Sequence, residues 1–365
     1  MKRNLFTLVI LLLLFSSVNA QERIALRHQP FQFSLLYPIG TEGLSSGNTA
    51  NYLSVNLLAG YTGAVTGFEF GGFLNAVRYD VVGMQFAGFG NVVGNHVRGG
   101  QFAGFVNVTG KDAKGIQMAG FANVIGRNGT GIQGAGFVNL NRGSYYGIQL
   151  AGFANINGGD VYGIQAAGLL NVAREVRGIQ LGFVNFANSY KGGAPIGFLS
   201  IVRDGYLALE LGVQESLGGT ASIKTGVPGF YNIFSVGLRP DAARENIESW
   251  SFGYGIGTRL RLGQGVGITL DAITYQVNED GAMFERLNLL NRIQPSLTLD
   301  LGKHLSLYGG PALNVMISEI DIDSHNGMDQ FTGSSLLPEN LIYDRVWDCT
   351  RVSMYWGFQA GIRIK

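Results

Sequence analysis

The chain has 365 residues with 56 Gly and 8 Pro, and its 26 basic residues nearly balance 25 acidic ones. Gly at about 15 % is twice the usual ~7 %, while charged residues, at 14 %, fall well below the usual ~25 %. Collagen would need Gly at every third position, a disordered chain few apolar residues and a large net charge, and a disulfide scaffold a partner for Cys349; a β-rich protein with many turns, or one partly solvated by lipid, fits.

Residues 1–20 predict a secretory signal peptide. Lys2 and Arg3 precede an apolar run from Leu5 to Phe15, and small residues lead to cleavage after Ala20. The run is too short to cross ~30 Å of hydrocarbon as a helix. No later segment offers a long uninterrupted apolar stretch, so a membrane-inserted mature chain has to be a barrel. Residues 21–66 then read as N-terminal barrel strands: Phe31, Phe33 and Leu35 alternate with Gln32 and Ser34, and Leu53, Val55 and Leu57 with Ser54 and Asn56.

Residues 67–192 hold a repeat. Blocks starting at Gly83, Gly99, Gly115, Gly131, Gly147 and Gly163 recur every 16 residues, with a degenerate copy at Gly67 (Glu69 at the Gln position) and a shortened one at Gly178. The consensus is G-x-Q-x-A-G-F-x-N followed by an aliphatic residue and a polar, turn-forming tail such as Gly126-Arg127-Asn128-Gly129. Period-two alternation predicts one strand of about ten residues and one turn per unit. Two architectures satisfy this: an antiparallel meander of barrel strands, or coils of a β-solenoid in which identical residues stack. The meander is the expected arrangement, giving an all-β, antiparallel outer-membrane barrel of roughly 18 strands; a solenoid with a smaller C-terminal barrel is the alternative.

Residues 193–365 alternate as membrane strands do. Met354, Trp356, Phe358, Ala360, Ile362 and Ile364 share one face; Ser353, Tyr355, Gly357, Gln359, Gly361 and Arg363 share the other. Leu207, Leu209 and Leu211 alternate with Ala208, Glu210 and Gly212. Aromatics at Tyr145, Tyr146, Trp250, Tyr254, Tyr355 and Trp356 suggest an interfacial girdle, and the N- and C-terminal strands are expected to close on each other.

The repeat blocks, followed by Pro195-Ile-Gly-Phe-Leu-Ser-Ile-Val-Arg203, resemble the "surface repeat" outer-membrane proteins of double-membraned bacteria. The resemblance implies an outer-membrane location and supplies no catalytic residues. His28, His96, His304 and His325 are scattered without metal-ligand spacing, Cys349 stands alone, and no nucleophile elbow or phosphate loop is present, so neither enzyme activity nor a cofactor is expected. Asp321, Asp323, Asn326 and Asp329 miss the calcium-loop template, because Gly327 comes one place late and Thr332 occupies position twelve; residues 319–351, the longest stretch without strand alternation, read as a solvated loop and no metal is assigned. The near-neutral charge argues against nucleic acid. The remaining candidates are the repeated amides, lining a lumen or forming ladders: Gln85, Gln101, Gln117, Gln133, Gln149, Gln165 and Gln180, with Asn91, Asn107, Asn123, Asn139, Asn155, Asn171 and Asn185. The expected function is that of a non-enzymatic barrel, a passive channel or structural surface protein in contact with outer-membrane lipid; the alternative is a repeat-built module that binds a surface ligand or protein partner, anchored by a small barrel.

Overall fold

The computed structural model describes residues 25–241, 246–263, 265–279, 287–321, 330–331 and 336–365; the expected signal peptide and the core of the candidate calcium segment lie outside them. The fold is all-β and divides into two compact units, Met1–Gly197 and Phe198–Lys365.

The first unit corrects the expected meander. Ala113–Ala119 pairs in parallel with Val97–Ala103 on one side and Gly129–Ala135 on the other, setting Gln117 between Gln101 and Gln133. Ala122–Ile125 likewise lies parallel between Val106–Thr109 and Val138–Asn141. Each 16-residue unit is therefore one coil of a parallel β-solenoid of about twelve turns. The expected ten-residue strand is broken in two, because the chain turns a corner at Gly120-Phe121, where backbone amides bond to the previous coil (Gly120 N to Ala103 O, 3.2 Å; Phe121 N to Phe105 O, 2.9 Å). The N-terminal strands also belong here and not to a barrel: Arg27–Leu36 pairs in parallel with Thr49–Thr62, which pairs in parallel with Ala64–Gly71.

Glycine makes this stacking tight. Gly115, Gly131 and Gly147 have φ of +130°, +118° and +133°, and a Cβ on any of them would strike the backbone carbonyl of the repeat glycine one coil earlier. The corner glycines Gly104, Gly120 and Gly136 face the same contact. Near the turns the interior is apolar, with Val81, Val97, Ala113, Tyr145, Val161 and Val176 buried in one cluster.

The second unit is a closed antiparallel barrel of eight strands. Tyr206–Gln214, Gly218–Val227, Phe230–Asp241, Asn246–Gly263, Val266–Glu279, Asn288–Asp300, Leu305–Asp321 and Thr350–Ile364 pair in succession. The last strand closes on the first, with Ile362 opposite Leu211. The expected closure of the N-terminal strand on the C-terminal one, and the count near 18, do not hold, since every strand before Gly197 is consumed by the solenoid. Tyr343–Trp347 adds a short hairpin strand against Thr350–Ile364, within a segment expected to be loop. The alternation places faces as expected: Leu207, Leu209, Leu211 and Val213 point outward, while Ala208, Glu210 and Gln214 are buried. The girdle reading fails at Tyr145 and Tyr355, which are 2 % and 0 % exposed and face their own interiors.

Candidate functional site

The fourteen repeated amides do not line a barrel lumen. They form two continuous ladders inside the solenoid, none more than 4 % exposed. Parallel in-register pairing puts each amide directly over its copy in the next coil, at the strand spacing of ~4.8 Å. A planar amide can donate to one neighbour and accept from the other at that spacing, which a hydroxyl or a charge does less well.

The two ladders run in opposite directions. Each Gln donates toward the N-terminus: Gln101 Nε2 to Gln85 Oε1 (2.9 Å), Gln133 to Gln117 (3.1 Å), Gln149 to Gln133 (2.8 Å), and so to Gln180 on Gln165 (2.7 Å). Each Asn donates toward the C-terminus: Asn91 Nδ2 to Asn107 Oδ1, Asn123 to Asn139 and Asn139 to Asn155 (2.9 Å each), ending at Asn171 on Asn185 (3.0 Å). The second Nδ2 hydrogen bonds a main-chain carbonyl 11 residues ahead, as from Asn123 to Gly134 O at 2.7 Å. That carbonyl fixes the amide orientation, since only NH₂ can face it.

The Gln ladder has chemically distinct ends. At its start, Gln85 Nε2 (2.7 Å), Asn56 Nδ2 (3.0 Å) and Ser54 Oγ (3.3 Å) all donate to the Glu69 carboxylate. Burial pushes the Glu69 carboxyl up to about 7 against the pull of those three donors. At its far end Tyr190 donates its hydroxyl to Gln180 Oε1, and burial pushes that phenol up, so it stays a donor. The next coil carries Pro195 in register with Gln180 and cannot continue the row. Asn56 and Asn75 extend the Asn ladder before the repeats (2.9 Å). Thr109, Asn141 and Asn157 brace the Gln row from across the coil. The sequence marked Glu69 as a departure from the Gln position, but Tyr190 and the bracing residues have no fixed place in the motif.

The barrel interior holds charge. Lys224 Nζ lies between Glu210 (2.8 Å) and Asp271 (2.6 Å), Arg363 pairs with Glu210, and Tyr231 donates to Asp271 (2.6 Å). A second cluster joins Arg292, Asn314 and the Phe358 amide at Glu215 (3.1, 2.7 and 2.8 Å), and a third gathers Arg259, Ser306 and Lys365 at Asp300. Arg292, Arg363, Lys224, Tyr231, Tyr275 and Tyr355 are all less than 2 % exposed. An eight-strand barrel is just wide enough for its side chains to fill it, and these fill it.

Outside the solenoid, a furrow of about 900 Å³ runs across successive coils. Its floor is the Ala-Gly pairs 87–88, 103–104, 119–120 and 135–136, and Phe70, Phe86, Phe102 and Met118 border it. Beyond the corner glycines, Phe73, Phe89, Phe105, Phe121, Phe137 and Phe153 stack with centroids 4.6–5.0 Å apart. Among the described residues, no group of three His, Cys, Asp or Glu side chains could hold a metal ion. The chain matches no family model, no curated protein and no solved structure.

Proposed function

We propose that the chain is a non-enzymatic outer-membrane protein in which the eight-strand barrel is a closed membrane anchor and the solenoid is the surface module it carries. The observation that carries this reading is the barrel's polarity. Its outer face is apolar along strands of 9 to 18 residues, long enough for the ~9–11 that a membrane crossing needs, while its interior is packed with paired charges. The signal-like N-terminus and the resemblance to surface-repeat proteins support the location. A filled interior favours an anchor over the passive channel.

Two measurements test the reading. Carbonate washing of membranes from expressing cells leaves the protein in the pellet; release without detergent overturns the anchor. Planar bilayers holding refolded protein show no steady ion current; a stable conductance restores the channel.

A further inference from the structure

Away from the apolar core near the turns, polarity in the solenoid is arranged the wrong way round for a water-soluble repeat protein. The amides are inside, and apolar side chains face out. Ile116, Ile132, Ile148, Ile164 and Ile179 form one exposed row, the furrow and the stacked Phe row lie beside it, and Phe73 is 52 % exposed. Five coil steps from Phe73 to Phe153, at ~4.8 Å each, make this edge about 24 Å long. Monomers rarely leave so extended an apolar surface in water.

Charge is segregated to the opposite edge. Residues 67–197 hold nine basic and five acidic side chains. All but the buried Glu69 lie between the motif Asn of one unit and the repeat Gly of the next, some in the turns and others, such as Arg98 and Lys114, at the adjoining strand starts, and none sits on the outward positions between the repeat Gly and Asn. Two of the four acids on that edge are held by cations, Asp160 by Arg174 (2.8 Å) and Glu175 by Arg177 and Lys191 (3.1 and 2.9 Å), while Asp112 meets His96 (3.1 Å) and Asp80 accepts the His96 backbone amide (3.1 Å). Arg98, Lys114, Arg127 and Arg142 are exposed and form no ion pair among the described residues. A body with one apolar edge and a surplus of unpaired cations on the other matches the interfacial layer of an anionic leaflet, where acyl chains and negative headgroups lie side by side. Backbone chemistry permits it too, since corner amides are bonded coil to coil and leave no row of unsatisfied donors at the apolar edge.

We infer that the solenoid is itself a lipid-binding element, which beds its Phe-lined corner edge among the acyl chains of an anionic leaflet and holds Arg98, Lys114, Arg127 and Arg142 at the headgroups. The furrow floor, having no side chain larger than Ala, is the groove along which an unbranched acyl chain lies. The inference rests on the membrane location proposed above, yet the two fail separately.

The experiment uses the full chain with Cys349→Ser, reconstituted in phosphatidylglycerol vesicles with or without brominated acyl chains. A single environment-sensitive fluorophore is placed at Phe137→Cys (corner edge), Asn128→Cys (turn edge) or Leu211→Cys (barrel exterior). The expected result is a blue shift and loss of most emission to bromolipid at 137 and 211, with little at 128. Replacing phosphatidylglycerol by phosphatidylcholine reduces the signal at 137, as does Arg98, Lys114, Arg127 and Arg142→Gln in combination, while leaving that at 211. Quenching at 211 without quenching at 137 overturns the inference and leaves the anchor standing. Quenching at 137 without 211 does the reverse. Equal quenching at 128 and 137 overturns the edge assignment, and crosslinking of 137 to 137 in place of quenching makes the occupant a second copy of this chain. Should Phe137→Cys fail to give the strand-rich circular dichroism of the parent, Phe153→Cys reads the same edge.

Discussion

The solenoid and the barrel both hide polar groups and expose apolar ones, yet they satisfy those polar groups by opposite chemistry. In the barrel, antiparallel neighbours bring unlike residues together, so Lys224 can lie between Glu210 and Asp271. In the solenoid, parallel in-register coils bring each residue against its own copy, as Gln133 against Gln117 and Gln149. A charge there would meet itself at every ~4.8 Å step. Only groups that complement themselves can be repeated: amides that both donate and accept, rings that stack, and aliphatic side chains. The scarcity of charge in the solenoid follows from this rule, and Glu69 obeys it by occurring once in its row.

Four experiments break or sharpen that contrast, beginning with the largest effect. Deleting residues 131–146 removes one coil and leaves both neighbours with matching partners, so strand content falls in proportion and the barrel still folds. Deleting a barrel strand such as Tyr206–Gln214 destroys closure and should abolish folding; circular dichroism and protease resistance compare the two, and loss of folding on coil deletion would contradict independent stacking.

The second is a comparison of buried partners. Lys224→Met leaves Glu210 and Asp271 short of a counter-ion and costs about 3–5 kcal/mol in denaturant titration. Gln133→Leu leaves one donor on Gln149 and one acceptor on Gln117 unserved and costs about 2–6 kcal/mol for the two together, the same range as the ion cluster. A cost below about 1 kcal/mol for Gln133→Leu would mean that the amide row, unlike the ion cluster, tolerates a missing member.

Glu69→Gln addresses the solenoid's sole buried ladder acid. Its carboxyl titrates near 7 when folded, above the ordinary 4.5, so the folded state holds the proton more tightly. Stability therefore falls as pH rises from about 4.5 to about 7 and is flat beyond, a loss of about 3 kcal/mol. The Gln variant removes that slope and is the more stable form at pH 8; an unchanged slope would assign the pH dependence elsewhere.

The smallest effects concern glycine. Gly147→Ala forces a Cβ against the Gly131 carbonyl at φ +133° and costs about 1–3 kcal/mol or more. Gly263→Ala, in a barrel strand with nothing within 4 Å of the added Cβ, is close to neutral in the same melt.

Much of this was legible in the residues. The G-x-Q-x-A-G-F-x-N spacing disclosed the unit, its length and the amides that matter, and the alternation of Leu207 to Gln214 and of Ser353 to Ile364 disclosed the faces of the barrel strands. Pairing direction was not legible. Period-two alternation is the same in a parallel and an antiparallel sheet, and the corner at Gly120-Phe121 hides inside a stretch that alternates without interruption. The information lay in identity between units: a meander has no use for Gln at every sixteenth residue, whereas a stack does. Arg27–Leu36 and Thr49–Thr62 lack the G-x-Q-x-A-G-F-x-N spacing and read like barrel strands because they share only isolated residues with the repeat, such as the ladder residue Asn56, while alternating in the same pattern. Tyr190 was invisible because it closes the Gln row from the neighbouring coil at Gln180, outside the period.

The two ends of the Gln row give the solenoid the logic of a polymer with initiator and terminator groups. Glu69 receives the first bond of the row, Tyr190 gives its single proton to the last, and every Gln between them passes the bond along in one direction. A unit duplicated anywhere between these residues is propagation: it finds an acceptor below and a donor above and costs nothing at either end. A unit added outside them finds a row already terminated. Length is thus a quantity that gene duplication can tune in steps of sixteen residues, while head, tail and direction stay fixed by two side chains.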